Sequence, residues 1–279
     1  MVTNLIYYLY DIKVDVVRRN NDKYIFYYND KYYIFKEIFD EFKVYRYFSY
    51  LKNNMFHSIV KNKDGREVSN YNNHKYILLC VNVLENRNIS VSDLLNKEIM
   101  YRISFNELPW FSLWKNKIDQ VEYIINSNEN KFSISNLSII NYYIELSEIA
   151  LAYLINNIDK GMSVTVSLCH NRIKKEFDLY DLYDISDLVL DNYTRDVGEY
   201  IKYDIINGSF DARAYFFIKY INYVDRVLLL SRVLFPSYFY DIFDDYVIND
   251  KDFTYFDKNF INIEYNERCI KELFEILTK

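Results

Sequence analysis

The sequence predicts an α+β fold with two lobes, a small antiparallel β-rich lobe at residues 1–85 and a larger, mainly helical lobe at residues 86–279. In the first 85 residues, short aromatic and β-branched runs alternate with turn residues, as they do in strands. Beyond Asn82, apolar residues recur every three or four positions, as they do on helices. A length of 279 residues suits two lobes that have separate cores.

The first lobe is predicted to follow the order β-β-β-α-β-β. A mixed run at Leu5–Val17 stands in the place of the first strand, and Asn29-Asp30-Lys31 between two aromatic runs predicts a hairpin. A helix is expected between residues 38 and 52, because large apolar residues recur there on one face. Its predicted inward residues are Phe39, Phe42, Tyr45, Phe48 (or Tyr47) and Leu51. The later strands are Phe56–Val60, Arg66–Ser69 and Lys75–Val83, with a turn at Lys63-Asp64-Gly65.

The second lobe is predicted to consist of long helices. Asn106 and Pro109 supply a capping residue and a helix-starting proline. The inward stripe of the helix that follows is Trp110, Trp114, Ile118, Val121 and Ile125, and that of a second helix at 136–157 is Leu137, Ile140, Ile144, Leu151 and Leu154. Further elements are a strand at Ser163–Leu168 and helices near Arg195–Ile206, Asp211–Leu234 and Cys269–Leu277. This order matches a protein-kinase-like bilobal fold.

Composition and charge exclude several classes of protein. The net charge is −6 and no basic cluster stands out, which argues against nucleic-acid binding. Cys80, Cys169 and Cys269 lie far apart, so neither a disulfide framework nor a zinc site is predicted. No apolar run is long enough for a membrane span, and no secretory signal follows Met1. The expectation is a soluble cytoplasmic protein.

The stretch from Ser167 to Arg172 reads Ser-Leu-Cys-His-Asn-Arg and resembles the catalytic loop of aminoglycoside-phosphotransferase-like kinases. In that loop the pattern is His-Gly-Asp-x-x-x-x-Asn, and a metal-binding Asp follows later. His170 matches, but Asn171 takes the Gly position, Arg172 the catalytic Asp position and Phe177 the magnesium Asn position. An arginine stays protonated and cannot act as a general base at neutral pH. The loop therefore predicts a vestigial site that transfers no phosphate.

Two residues could still bind a nucleotide. Lys36 ends a predicted strand, and Glu37 or Glu41 opens the next helix, as in the lysine–glutamate pair of a kinase. Asp191 stands near the position of the metal-binding Asp. Against this, Arg18–Asp22 replaces the glycine-rich phosphate loop, and no glycine occurs before Gly65. No cofactor is therefore predicted, and ATP with magnesium is the alternative.

Other polar residues have structural interpretations. His170 is expected to be a hydrogen-bonded core residue, and Cys169 lacks the partners of a thiol nucleophile. Asp196 is expected to cap its helix. The acidic runs are interpreted as solvated surfaces rather than cation sites, since they lack a calcium-loop pattern. They comprise Asp178, Asp181, Asp184, Asp187 and Asp191, and then Asp241, Asp244 and Asp245.

Four segments of the second lobe carry a family resemblance: Trp110–Glu122, Tyr142–Ala150, Val166–His170 and Arg195–Ile201. Together they resemble the spore-coat-associated kinase-like proteins of spore-forming Firmicutes, of the CotS and YutH type. The resemblance implies an aminoglycoside-phosphotransferase or choline-kinase-like fold, a role in sporulation, and protein partners in the spore coat. The predicted function is a pseudokinase that serves as a binding or structural module. The alternatives are a small-molecule phosphotransferase in which Asp191 or a neighbouring carboxylate is the base, and a scaffold unrelated to kinases.

Overall fold

The chain divides into two units in the structure, a computed structural model. It describes residues 2–20, 22–49, 55–83, 85–95, 99–105, 110–128, 132–173, 177–249 and 263–278. The first unit comprises Met1–Ser90 and Glu176–Val189, and the second comprises Val91–Lys175 and Leu190–Lys279. A segment from the middle of the predicted helical lobe therefore packs with the β-rich part.

Within the described part of the first unit, six strands form one antiparallel sheet. Its path is β1-β2-β3-β6-β4, and β5 also pairs with β6. The strands are β1 (Arg18–Asn20), β2 (Lys23–Tyr28), β3 (Lys31–Ile38), β4 (Ser58–Val60), β5 (Ser69–Tyr71) and β6 (His74–Cys80).

The chain begins with a helix, α1 (Val2–Tyr10), so the prediction of a first strand at Leu5–Val17 is wrong. Ile6, Leu9 and Tyr10 recur at helical spacing and are buried, whereas strand alternation would separate them onto two faces. They pack against a sheet face that includes Phe26, Phe35 and Leu78. This face of the sheet is therefore closed by the N-terminal helix.

The predicted hairpin at Asn29-Asp30-Lys31 is confirmed. Asn29 and Asp30 have φ values of 46° and 60°, and Tyr28 pairs with Lys31 across the turn. Positive φ at both central residues gives a type I′ turn, whose twist matches that of the two strands. Asn72 and Asn73, at 49° and 65°, make the same kind of connection between β5 and β6.

The predicted helix after β3 exists as α2 (Glu41–Phe48), and Asp40 caps it by accepting a hydrogen bond from the Lys43 N–H. Its predicted inward face is wrong except at Tyr47, the alternative to Phe48, which is buried. Phe39, which precedes the helix, is 94% exposed and Phe42 is 77% exposed. Tyr45 and Phe48 are also exposed, and the buried residues are Val44 and Tyr47. Leu51 lies outside the described residues.

The described part of the second unit is mainly helical. A three-stranded sheet has the order β7-β8-β9, and of these strands the sequence predicted only β8. The division between the two units passes through β9. The helices are α3 (Val91–Leu95), α4 (Trp110–Ser127), α5 (Ile134–Asn157), α7 (Thr194–Ile206), α8 (Tyr223–Leu234), α9 (Ser237–Asn249) and α10 (Ile263–Thr278). The strands are β7 (Ile99–Ser104), β8 (Ser163–His170) and β9 (Leu188–Asp191).

The stripes predicted for α4 and α5 lie in one hydrophobic core, which confirms them. Trp114 and Ile118 are buried on α4, and Ile140 and Leu154 are buried on α5. The predicted helix start at Asn106 and Pro109 lies outside the described residues, as does the side chain of Trp110. None of the helices among the described residues is both long and apolar enough to cross a membrane.

The single helix predicted at Asp211–Leu234 is wrong. A 3-10 helix at Ala212–Tyr220 comes first, and α8 begins only at Tyr223, where the Asn222 side chain accepts a hydrogen bond from the Asp225 N–H. An asparagine at an N-cap favours a new helix start over continuation, which explains the break.

Candidate functional site

Two buried lysines lie side by side on the sheet of the first unit. Lys23 on β2 pairs directly with Lys36 on β3, so both side chains project from the same face, opposite to the α1 face. They are only 2% and 9% exposed. Like charges in such a cross-strand pair repel one another, and burial adds a desolvation penalty. This face of the sheet therefore requires nearby anions.

The anions come from the segment of residues 177–187. It contains the short helix α6 (Leu179–Leu182), capped by Asp178, and a 3-10 helix at Ile185–Asp187. The Asp181 carboxylate accepts a short hydrogen bond from the Lys23 ammonium. Lys36 Nζ lies 3.0 Å from the Asp184 carboxylate and 3.9 Å from that of Asp22. Each lysine is thus neutralised within the first unit.

Asp184 is held in its charged form. Burial by itself would raise the pKa of its carboxyl group, but the Lys36 ammonium and the Ser186 hydrogen bonds together outweigh that effect and lower the pKa below its usual value. Two hydrogen bonds from Ser186, at 2.8 Å from its N–H and 2.7 Å from its hydroxyl, act in the same direction. Burial would likewise lower the pKa of Lys36, and the Asp184 carboxylate reverses this, so the pKa is raised.

Backbone hydrogen bonds fix this segment to the rest of the first unit. The Leu179 N–H donates to the Arg87 carbonyl at 3.0 Å, and the His57 N–H donates to the Tyr183 carbonyl at 3.2 Å. The His57 ring nitrogen Nε2 lies 3.0 Å from the Tyr180 carbonyl. Because these bonds join backbone atoms far apart in sequence, the placement of the segment does not depend on the two lysine pairs alone.

Lys36 does not form the predicted ion pair with Glu37 or Glu41, because its partner is Asp184. Glu41 at the start of α2 lies 3.1 Å from the Lys75 ammonium, and Glu37 lies 2.6 Å from Nδ1 of His74. Arg18–Asn20 form strand β1 itself rather than part of a loop between strands. Predicting Asp184 as a solvated residue was also wrong, because it is buried against Lys36.

An open groove continues from the lysine face of the sheet. Its volume is about 810 Å³. The residues that line it include Arg18, Ile25, Tyr27, Tyr32, Asp178 and Tyr180. Basic, acidic and aromatic groups are mixed along its wall, so the groove by itself does not select one class of ligand.

In the second unit, His170 ends β8 and is buried against Asp196 of α7. Nδ1 of His170 lies 2.6 Å from one carboxylate oxygen of Asp196, and the His170 N–H donates to the other oxygen at 2.9 Å. This confirms the interpretation of His170 as a hydrogen-bonded core residue. Asp196 was predicted to cap its helix, but its carboxylate instead joins α7 to the end of β8 through His170.

Arg172, which the sequence pattern aligned with the catalytic base, forms ion pairs with two acids. Its guanidinium donates to Asp241 of α9 through Nε at 3.1 Å and through Nη2 at 2.9 Å. Nη1 lies 3.5 Å from the Glu199 carboxylate. Glu199 in turn accepts a hydrogen bond from the buried Lys202 ammonium at 2.5 Å, and Lys202 also donates to the Ser237 hydroxyl at 2.7 Å. The residue that the sequence pattern aligned with the catalytic base is thus a cation held by two acids.

Burial determines the charge states of the inner pair. It lowers the pKa of Lys202 to about 8, although Glu199 partly opposes the change. Burial alone would raise the pKa of the Glu199 carboxyl, but the Lys202 ammonium and the Arg172 guanidinium hold it below its usual value. Glu199 is therefore a carboxylate at neutral pH.

Asp191, the candidate metal-binding residue, is buried between two arginines. One of its carboxylate oxygens accepts hydrogen bonds from Arg195 at 2.8 Å and from Arg232 of α8 at 2.6 Å. Its other oxygen accepts the Asn192 N–H at 2.7 Å. The solvated-surface interpretation is wrong here too. Two adjacent cations satisfy this carboxylate and compete with any metal ion for it.

Three other residues in and around the loop, Asn171, Phe177 and Cys169, each have different neighbours. The Asn171 carbonyl accepts a hydrogen bond from Arg195 at 2.9 Å. Phe177, at the position of the magnesium Asn, is buried in the first unit. Cys169 is buried and unbridged beside the Asn192 carbonyl. No group of three or more His, Cys, Asp or Glu that could hold a metal occurs among the described residues.

Sequence reasoning missed Lys23, Glu199, Lys202 and Arg232 as members of these networks, and it did not predict the contact between Asp181 and Lys23. The acidic run between residues 178 and 191 contained a signal, since Leu179, Leu182 and Ile185 stand between its acids and are buried. Apolar residues on both sides of an acid indicate that its backbone is buried, and a buried carboxylate needs a cation.

The architecture, a six-stranded antiparallel sheet with one inserted helix followed by a helical unit, defines a kinase-like protein of the aminoglycoside-phosphotransferase fold. The aminoglycoside phosphotransferase from Alicyclobacillus acidocaldarius superposes with a TM-score of 0.72 at 11% identity, over 100% of this chain and 97% of that one. Spectinomycin phosphotransferase APH(9)-Ia, in its AMP-bound complex, gives 0.54 at 14% identity, over 98% and 97% of the two chains.

The family follows from sequence. Residues 3–268 match the family model described as "Spore coat putative kinase YutH", and the chain belongs to this family. The endospore coat-associated protein YutH of Bacillus subtilis (strain 168) is 26% identical over 160 residues. That alignment covers 51% of this chain and 47% of the relative, so it spans about half the length of each. The family resemblance and the fold class predicted from the sequence are both confirmed.

Proposed function

We propose that this protein is a pseudokinase, a kinase-like protein without phosphotransferase activity, and that it serves as a binding or structural module in spore coat assembly. One observation supports the proposal most: Asp241 and Glu199 hold the guanidinium of Arg172, the residue that the sequence pattern aligns with the catalytic base. A guanidinium stays protonated at neutral pH and so accepts no proton from a substrate hydroxyl.

The surroundings of Asp191 support the same proposal. Phosphoryl transfer of the kinase type depends on magnesium ions that neutralise the developing charge on the phosphate. Asp191 already balances Arg195 and Arg232, and a metal ion at this carboxylate would have to displace at least one of them. A small-molecule phosphotransferase that used Asp191 as its base would face the same obstacle, because the carboxylate already accepts hydrogen bonds from two guanidinium groups.

A role in the coat with protein partners is supported by the relative, whose name describes an endospore coat-associated protein. The exposed rings of Phe39 and Phe42 offer apolar area of the kind that protein interfaces use. We expect the protein in the cytoplasm of the sporulating cell before it joins the coat. A tagged chain should cofractionate with the assembled coat, and its absence from that fraction would contradict this part of the proposal.

The catalytic part is tested with ATP and magnesium. We expect neither a magnesium-dependent rise in the thermal midpoint nor release of phosphate from millimolar ATP, with or without aminoglycoside or choline acceptors. A nucleotide at 100 times its dissociation constant would stabilise the protein by about 2.7 kcal/mol, which such a measurement detects. Phosphate transfer that is lost in Asp191→Asn would refute the proposal.

A further inference from the structure

The cross-strand pair of Lys23 and Lys36 is surrounded by more negative charge than it needs. Asp181 and Asp184 contact the two ammonium groups directly, and Asp178 lies 4.0 Å from Lys23. Asp22 lies 3.9 Å from Lys36. Four carboxylates therefore face two lysines, and three of the four belong to one short segment of the chain.

We propose that residues 177–187 act as a built-in substitute for an anionic ligand, so that the first unit holds a latent polyphosphate-binding site that the chain itself fills. Two ammonium groups on adjacent strands present the charge and the hydrogen-bond donors that the oxygens of a di- or triphosphate require. With Asp181 and Asp184 in place, both ammonium groups are already neutralised, and a further anion would also lie near the excess negative charge of Asp22 and Asp178.

The segment is built to stay in this position. Asp178 and Asp181 form a reciprocal capping box around α6, and Asp184 caps the following 3-10 helix. The carboxylates that meet the lysines thus also satisfy backbone N–H groups of their own segment. Together with the backbone bonds to Arg87 and His57, this makes release of the segment costly.

The test is titration calorimetry with inorganic tripolyphosphate in the absence of magnesium, on the full chain. The variant Asp181→Asn/Asp184→Asn removes both carboxylates while it keeps their shape. The control, Asp64→Asn/Asp211→Asn, changes the net charge equally at exposed positions. We expect the first variant to bind at least tenfold more tightly than the wild type and the control to match the wild type. Adding Lys36→Met should abolish the gain.

Two results would overturn the proposal: equal affinity of the wild type and the folded Asp181→Asn/Asp184→Asn variant, or a gain that survives Lys36→Met. If that variant does not fold, Asp181→Asn alone provides the comparison, because it leaves the Lys36–Asp184 pair intact. Amide hydrogen exchange of the wild type is a second measurement. The N–H groups of Leu179, Leu182 and Ser186 should be protected as strongly as those of β3, and rapid exchange would also overturn the proposal.

The masking of these lysines is independent of whether the second unit transfers phosphate. A wild-type protein that hydrolyses ATP refutes the proposed function, whereas the tripolyphosphate titrations test only the segment. If the double variant binds tripolyphosphate and still releases no phosphate from ATP, both proposals stand.

Discussion

Arg172 and Asp241 form an ion pair through two guanidinium nitrogens, with Nε at 3.1 Å and Nη2 at 2.9 Å from the same carboxylate oxygen. The pair joins the loop after β8 to α9. On its inner side Arg172 also reaches Glu199, so the loop is anchored to two helices at once. The geometry of this loop is thus maintained by the ion pairs of one arginine with two acids.

Loss of Arg172 should have a modest effect on stability. Arg172→Gln should lower the free energy of unfolding by about 1 kcal/mol, since about a third of the side chain is exposed and partly exposed ion pairs contribute little. Urea denaturation measures the change. Arg213→Gln, at an exposed pair with Asp211, is the matched control and should leave the midpoint unchanged. A loss as large as that expected for a buried pair would contradict this account.

Loss of Asp184 should be far more harmful. Asp184→Asn leaves Lys36 buried without its main counter-ion, which should cost about 3 kcal/mol. Urea denaturation at pH 7 gives the value, and Asp211→Asn at the exposed pair with Arg213 should have little effect.

The dependence of the free energy of unfolding on pH in the acidic range provides a second check on Asp184. Its folded-state pKa is lowered, so its contribution is present above the unfolded pKa near 4 and is lost as pH falls through the folded value. The difference between the wild type and Asp184→Asn should therefore shrink below pH 4. A difference that stays constant with pH would show that Asp184 acts through packing rather than charge.

Lys202 should make the protein more stable as pH rises above 8. Its folded pKa of about 8 lies below its unfolded value, so between these values the unfolded chain binds more protons and the free energy of unfolding increases with pH. Lys202→Arg keeps a cation that does not titrate in this range. From pH 8 to 9.5 the wild type should gain on the order of 1–2 kcal/mol relative to this variant. Parallel pH profiles would contradict the lowered pKa.

Gly198 is required by the packing of α7 on α8. A Cβ added there would lie 3.2 Å from Cβ of Arg232, whose guanidinium is fixed by Asp191. Gly198→Ala should therefore lower the free energy of unfolding by about 1 kcal/mol despite the better helix propensity of alanine. Gly161→Ala meets no atom within 4 Å and should be neutral. Thermal unfolding of both variants checks the contrast, and a stabilising Gly198→Ala would contradict it.

The parts of the fold that local chemistry determines could be predicted from the sequence. Asn29 and Asp30 specify their hairpin because a turn needs only its own residues, and the stripe of α4 is set by a regular apolar spacing. The aromatic face of α2 misled the prediction, because Phe42 recurs at helical spacing yet faces solvent. Periodicity identifies a helix but does not identify what covers it.

The site could be predicted only as far as the identity of its loop residues. His170, Arg172 and Asp191 were found from their order in the sequence, but their partners were not. Arg172 meets a residue 69 positions away, and Lys36 meets one 148 positions away. Such pairs depend on which elements pack together, and a single sequence carries no signal for that.

The ion pair of Arg172 also constrains how this sequence can change over time. Arg172→Asp would place a third carboxylate beside Glu199 and Asp241 and remove a cation that both of them use. An acidic residue at this position therefore requires a compensating change at Asp241 or Glu199, and either change made alone weakens the protein. Because each single substitution toward an acidic residue lowers stability, we expect selection to retain an arginine at this position.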